Sequence, residues 1–228
     1  MEALKLSRSY IALIKKDMKD LVRRKTILIQ IILLLIGSIV GDAILVNIME
    51  HEIVMIYMDY LKLIILLIGV KIISLVENSI LIEERLTKTI KYLFLTPLKN
   101  IHLFWSKTLV GVIVSSMVCL SIYFITMLIN YICIPSFKAE NVLVIAGFIL
   151  LNLFLNLCIS AFTNLVALKT TDMRVMKQVC GWFTILVFAI LYLFQNKNIM
   201  YLLPIFFTTN IILHFVALRW CKYEILYD

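Results

Sequence analysis

The chain has 228 residues, 63% of them hydrophobic and only 16% charged, with a mean hydropathy of +1.02 and a formal net charge of +8. Such values exclude a soluble globular domain, in which about 25% of residues are charged. They point to an all-α integral membrane protein whose basic surplus meets anionic lipid headgroups, and they argue against a nucleic-acid partner.

A bilayer core is about 30 Å thick and a helix rises about 1.5 Å per residue, so runs of about 20 apolar residues are the units to count. Six transmembrane helices are predicted, at 26–46, 60–81, 108–134, 142–166, 178–194 and 199–218. They divide one membrane domain, 1–228, into an interfacial segment (1–25), spans one and two (26–81), a loop (82–107), spans three to six (108–218) and a tail (219–228).

In the first segment Leu4, Ile11, Ile14, Met18 and Leu21 recur at helical spacing, with Lys16, Lys19, Asp20 and Arg23 on the other face. This pattern predicts an amphipathic interfacial helix lying flat on membrane lipids. The plainer reading is a basic flank that directs insertion. Its basic residues are too dispersed for a cleaved signal peptide. The first span holds a G-x-x-x-G pair, Gly37 and Gly41, read as a packing feature ahead of the alternative, a dedicated dimer seam. Lys71 lies near the middle of the second span with Ser74 and Asn78 on its face, and its charge calls for a partner, a water-filled cavity or a route to snorkel. Near the outer end, Asp59 and Lys62 are spaced to pair.

The loop 82–107 is too polar to span a bilayer and too apolar for a slack connector. Leu86, Ile90 and Leu93 share one helical face, Lys88 and Lys91 point the other way, and Pro97 disfavours helix at Thr96. Asn100 then suits the cap of a new helix, with Trp105 and Lys107 at the entry to the third span. A short amphipathic helix of this kind meets either the lipid surface or another protein.

Asn152, Asn156, Ser160 and Asn164 recur every four residues along the fourth span. Such a stripe either bonds neighbouring helices together or lines a translocation path. The five cysteines have neither metal-ligand spacing nor a pairing pattern, and are read as free thiols.

Charge sets the orientation. Eighteen of the 22 basic residues fall before the first span, after the second and fourth, and in the tail, while the opposite loops hold only Lys138 and Lys197. The protein is therefore expected as a multi-pass protein of the cell membrane with both termini cytoplasmic. No glycine stands in a G-x-x-x-x-G-K-[ST] loop, so the chain is expected to bind no nucleotide itself.

Glu84-Arg85, then Thr89-Ile90, Leu93, Leu95-Thr96-Pro97-Leu98 and finally Lys107 resemble, in order and spacing, the stretch after the second span of ABC-2 type transport permeases. Leu86 and Lys91 stand where that family usually has glutamate and Lys88 where it usually has glycine, which reverses the charge of the helix. The resemblance implies a cytoplasmic coupling helix, with Glu84, Arg85, Thr89, Ile90, Leu93, Thr96, Pro97 and Leu98 meeting a separate ATP-binding subunit. It implies two copies of that subunit, which hold the ATP and Mg, and a second permease subunit, identical or a sister chain. The short outer loops favour export as the direction of transport, and the polar residues inside the spans, Lys71, Asn152, Asn156, Ser160 and Asn164, are the candidates for the path. An apolar, aromatic-rich interior fits an amphipathic or hydrophobic substrate such as a peptide, toxin or drug-like molecule. Two alternatives stand beside this: a membrane immunity or scaffold protein without transport activity, and an intramembrane protease. Glu83-Glu84-Arg85 is similar to the paired glutamates of the CAAX-protease-like family, but Lys88 replaces that motif's arginine and His51, His102 and His214 are scattered. No catalytic residue and no metal site is therefore expected.

Overall fold

The computed structural model describes residues 2–48, 51–86, 100–133, 141–169, 173–193 and 201–223. They form seven helices: α1 (Glu2–Arg23), α2 (Lys25–Ile48), α3 (His51–Leu86), α4 (Asn100–Cys133), α5 (Val142–Lys169), α6 (Met173–Leu193) and α7 (Leu202–Tyr223). No strand occurs among the described residues.

Local sequence accounts for the breaks. Arg24 alone separates α1 from α2; its N–H donates to the Leu21 carbonyl at 3.0 Å, and its own carbonyl accepts the N–H of Ile27 and of Leu28, each at 3.1 Å. Arg24 thus closes one helix and opens the next. Asn141 caps α5, its Oδ1 accepting the Leu143 N–H at 3.2 Å. Within the helices, Thr108, Ser121, Thr163, Thr184 and Thr209 each donate to the carbonyl four residues back, which satisfies hydroxyls that lipid could not.

Four helices are long and apolar enough to cross a membrane, over Lys25–Ile44, Phe104–Cys133, Val142–Ala167 and Leu202–Arg219. The other two expected spans fall short of those criteria among the described residues. Residues 60–77 of α3 carry Lys62, Lys71 and Glu77, and the apolar part of α6 is confined to Gln178–Leu193. Two helices outrun their expected spans: α3 has 36 residues and α4 has 34, or about 50 Å each at about 1.5 Å per residue.

The core lies where α3, α4 and α5 pack together, with Ile65, Leu66, Ile73, Ile122, Leu151 and Leu155 buried and Tyr123 stacked on Phe148 at 4.5 Å. Helix α6 adds to it through Phe183, stacked on Phe162 at 3.8 Å, and α7 through Asn210, whose Nδ2 donates to the Phe154 carbonyl at 2.8 Å. Helix α2 is peripheral, exposing Ile29, Ile32, Leu33, Ile36, Val40 and Ile44 in one apolar sheet of side chains. An apolar surface of that extent is a mark of lipid or protein contact.

Helix α1 turns part of its apolar stripe toward the bundle. Ile14, Met18 and Leu21 pack not outward but against Ile72 and Val76 of α3 and Val110 of α4, and Leu13 is buried as well. Ile11 is exposed, and the Leu4 side chain lies outside the described residues. Most of the apolar stripe that predicts a membrane-surface helix is thus spent on the protein.

Candidate functional site: a buried polar seam

A polar seam runs through the contact of α3, α4 and α5. All four members of the α5 stripe are buried: Asn152, Asn156, Ser160 and Asn164. Asn156 Nδ2 donates to Ser116 Oγ on α4 at 3.1 Å and to Asn152 Oδ1 at 3.2 Å. Asn164 Nδ2 donates to Thr108 Oγ1 on α4 at 3.1 Å. On the α3 side, Ser115 Oγ and Cys119 Sγ of α4 donate to the carbonyls of Gly69 and Ile65, at 2.9 and 3.4 Å. Each bond spans two helices or stays within one, and none leaves the bundle.

Glycines make this closeness possible. A Cβ at Gly69 would stand 2.7 Å from Cys119 Sγ and 3.1 Å from Asn156 Oδ1. A Cβ at Gly111 would strike Glu77 Oε1 and lie 3.2 Å from Ser160 Oγ. The G-x-x-x-G pair of α2 is the opposite case, with nothing within 4 Å of a Cβ at Gly37 or Gly41.

At the end of the seam nearest α1 the chemistry becomes ionic. Lys107 Nζ lies 2.8 Å from Asp17 Oδ2, and both side chains are buried, so the pair pins α1 to the first turns of α4. Tyr10 adds an edge-on contact to the His102 ring, 6.4 Å between centroids, and burial there pushes the Tyr10 phenol above its ordinary value. Glu77 of α3 sits beside the pair, fully enclosed. Its Oε1 is in hydrogen-bond contact with Ser160 Oγ, which also lies 3.0 Å from the Thr108 carbonyl. Asn164 stands alongside the carboxyl, close enough to share a hydrogen bond with it.

Lys71 stands apart from this seam, exposed on another face of α3. Lys62 is buried, and the Asp59 side chain expected to pair with it lies outside the described residues. Of the coupling residues, Glu84 and Arg85 fall in the last turn of α3 with their side chains undescribed, while Thr89, Ile90, Leu93, Thr96, Pro97 and Leu98 lie outside the described residues altogether. Cys119, Cys133, Cys158 and Cys180 are free thiols, and the described residues hold no group of His, Cys, Asp and Glu able to bind a metal ion. Sequence reasoning missed Asp17 and Glu77. For Glu77 a signal was available: a carboxylate inside an apolar run is expensive in a membrane and asks for a partner as much as Lys71 does.

Fold and seam together define an all-helical protein with helices able to cross a membrane, knit by buried polar contacts. A scan of protein-family models, a search of curated proteins and a search of solved structures each find no match.

Proposed function

We propose that the chain is the permease subunit of an ATP-driven exporter of the ABC-2 type, with six spans and both termini cytoplasmic. The observation that carries the reading is the run from Glu84 to Leu98, ending in Leu95-Thr96-Pro97-Leu98, set between the two longest helices. Support comes also from the 18-to-2 partition of loop charges and from the lack of a nucleotide-binding loop, which calls for a partner ATPase. The six-span reading keeps α3 in the membrane because Glu77 is enclosed by the bundle, which spares lipid one of its charges.

In this reading two copies of an ATP-binding subunit hold ATP and Mg below two permease subunits. Nucleotide draws the ATPases together, and the 87–99 loops carry that movement into α3 and α4. The drive requires nucleotide to bind the closed arrangement more tightly than the open one, since a ligand of equal affinity for both shifts nothing. The α5 stripe is enclosed by its own helices and acts as packing between spans. Lys71, exposed on the single chain, is the better candidate to face a path between subunits, through which an amphipathic peptide, toxin or drug-like molecule would pass.

Co-expression with a candidate ABC-type ATP-binding subunit tests the reading. Ile90→Asp and Leu93→Asp are expected to abolish co-purification of the ATPase while the permease still inserts. Normal capture and export by both variants would leave the loop without a coupling role. Failure of the wild-type chain to retain any ATPase would favour a non-transporting scaffold or immunity protein.

A further inference from the structure

Lys71 poses a question that the polar seam does not answer. The bond from Ser115 Oγ to the Gly69 carbonyl sets this part of α3 level with Ser115, well inside the apolar run Phe104–Cys133 of α4. A cation at that depth is costly unless it meets an anion, water or the membrane surface. The carboxylates nearby serve other ends: Asp17 pairs with Lys107, and Glu77 is enclosed by the bundle. Lys71 lies on another face of α3, exposed, with no ion pair or hydrogen bond among the described residues.

The rest of that face is apolar. Tyr60, Ile64, Leu67, Ile68 and Lys71 recur at three or four residues, Tyr60 and Ile64 exposed and Leu67 and Ile68 half-buried. Tyr60 and Lys71 are eleven residues apart. At about 1.5 Å per residue that is about 16 Å, close to half of a bilayer core of about 30 Å and so to the depth of one leaflet.

We propose that this face of α3 binds one anionic phospholipid, its phosphate against the Lys71 ammonium and an acyl chain along Leu67, Ile68, Ile64 and Tyr60. The charge selects the occupant. A second copy of the chain packed on this face about a two-fold axis would set Lys71 against Lys71. A zwitterionic lipid brings a cation of its own, whereas an anionic one matches the ammonium and the apolar strip together. The lipid belongs to the leaflet at the Lys107 end of α4, toward which the flexible Lys71 stem extends to meet the headgroup. The site lies on the single chain and does not depend on transport. In the permease reading the same face borders the path, and the lipid occupies it at rest.

Native mass spectrometry of the full chain, released from micelles carrying equal phosphatidylglycerol and phosphatidylcholine, tests the site. The wild type is expected to retain phosphatidylglycerol preferentially. Lys71→Gln should lose one bound molecule of it per chain, and Lys71→Arg should keep it. Lys15→Gln/Lys16→Gln, on the exposed side of α1, measures what loosely held headgroups contribute. An equal loss from that variant would make Lys71 one surface cation among several and overturn the proposal. So would an unchanged count in Lys71→Gln, the result expected if the side chain reaches water or meets a partner protein instead. Should Lys71→Gln not fold, the wild type in nanodiscs is photolabelled with phosphatidylglycerol carrying a diazirine in its acyl chain. Labelling of residues 64–68 that is suppressed by unlabelled phosphatidylglycerol and not by phosphatidylcholine supports the site. Labelling absent there, or suppressed equally by both lipids, refutes it.

Discussion

Helix α2 and the α3–α4 contact both contain two glycines, and they use them in opposite ways. The pair that matches a recognised packing pattern, Gly37 and Gly41, faces open space. Gly69 and Gly111, which belong to no pattern because they sit on different helices, are where an added Cβ would run into side chains of α3, α4 and α5. What separates the two regions is polarity across the contact: α2 shows a face of Ile, Leu and Val, whereas the other glycines lie opposite Cys119, Asn156, Ser160 and Glu77. Apolar surface gains nothing by leaving lipid for protein, but a polar group in an apolar medium must find a partner. The polar seam therefore dictates which helices meet, and glycine follows it.

The comparison is most sharply broken at its ionic end. Lys107→Met removes the cation and leaves Asp17 buried without its partner, and breaking a buried pair in this way costs about 3–5 kcal/mol. The thermal midpoint of the purified protein should fall further for this variant than for any other considered. Asp17→Asn combined with Lys107→Met should recover much of the loss, because the stranded charge is gone. A double variant no better than the single would mean that the pair is not what holds α1.

The glycines come next. Gly111→Ala pushes against the Glu77 carboxyl and Gly69→Ala against Cys119 Sγ and Asn156 Oδ1, with an overpacking cost of about 1–3 kcal/mol each, partly offset by the better helix propensity of alanine, about 1 kcal/mol. Lowered midpoints in both would place the close approach where the seam runs. Unchanged midpoints would mean that the helices spread to admit a methyl group, and the seam would then be looser than its hydrogen bonds indicate.

Much of this architecture was legible in the residues. Runs of apolar residues long enough for a bilayer appear as α2, α4, α5 and α7, and the four-residue spacing of Asn152, Asn156, Ser160 and Asn164 announced one helix face that is indeed buried. Less legible was what that face meets. Period within a helix says which side chains share a face; it carries no information on the rotation of the neighbour, so Ser116, Thr108 and Glu77 could not be matched to the stripe beforehand. For α1 an apolar stripe fits a lipid surface and a protein groove equally well, so the packing of Ile14, Met18 and Leu21 on Ile72, Val76 and Val110, and the pairing of Asp17 with Lys107, could not be read from the period alone. Lys71 and Glu77 look alike in sequence as charges in one apolar run. Only the fold turns one outward and the other into the bundle.

A smaller effect is expected within the stripe. Asn156→Leu removes the bonds to Ser116 and Asn152 while roughly conserving volume, and hydrogen bonds between membrane helices contribute about 0.6–2 kcal/mol. The thermal midpoint should drop modestly. On the proposed permease reading, substrate stimulation of an ATPase partner should not change, because Asn156 is buried against Ser116 and Asn152. A shifted substrate response with an unaltered midpoint would reverse that assignment and put the stripe back into the pathway.

The smallest effect should come from α2, and there even a null result is informative. Gly37→Ala and Gly41→Ala each place a methyl group where no atom lies within 4 Å, so neither meets an obstacle inside the chain. Alanine is also the better helix former by about 1 kcal/mol, which favours an unchanged or slightly raised midpoint in the isolated subunit. In the assembled protein the outcome depends on what covers the face. Against lipid tails a methyl group is as welcome as the hydrogen it replaces, and the variants should assemble and melt like the wild type. Against a second subunit packed closely on the glycines, the same methyl groups would hold the helices apart, because close packing of small residues is the main attraction between helices in lipid. Measuring the midpoint and the oligomeric state of Gly37→Ala/Gly41→Ala in nanodiscs therefore tests both halves of the comparison at once. Unchanged values leave α2 as the lipid-facing edge of the bundle. Loss of the oligomer with an intact monomer midpoint would show that the open glycines serve a contact between chains, and that α2 and the polar seam differ in which partner the glycines admit.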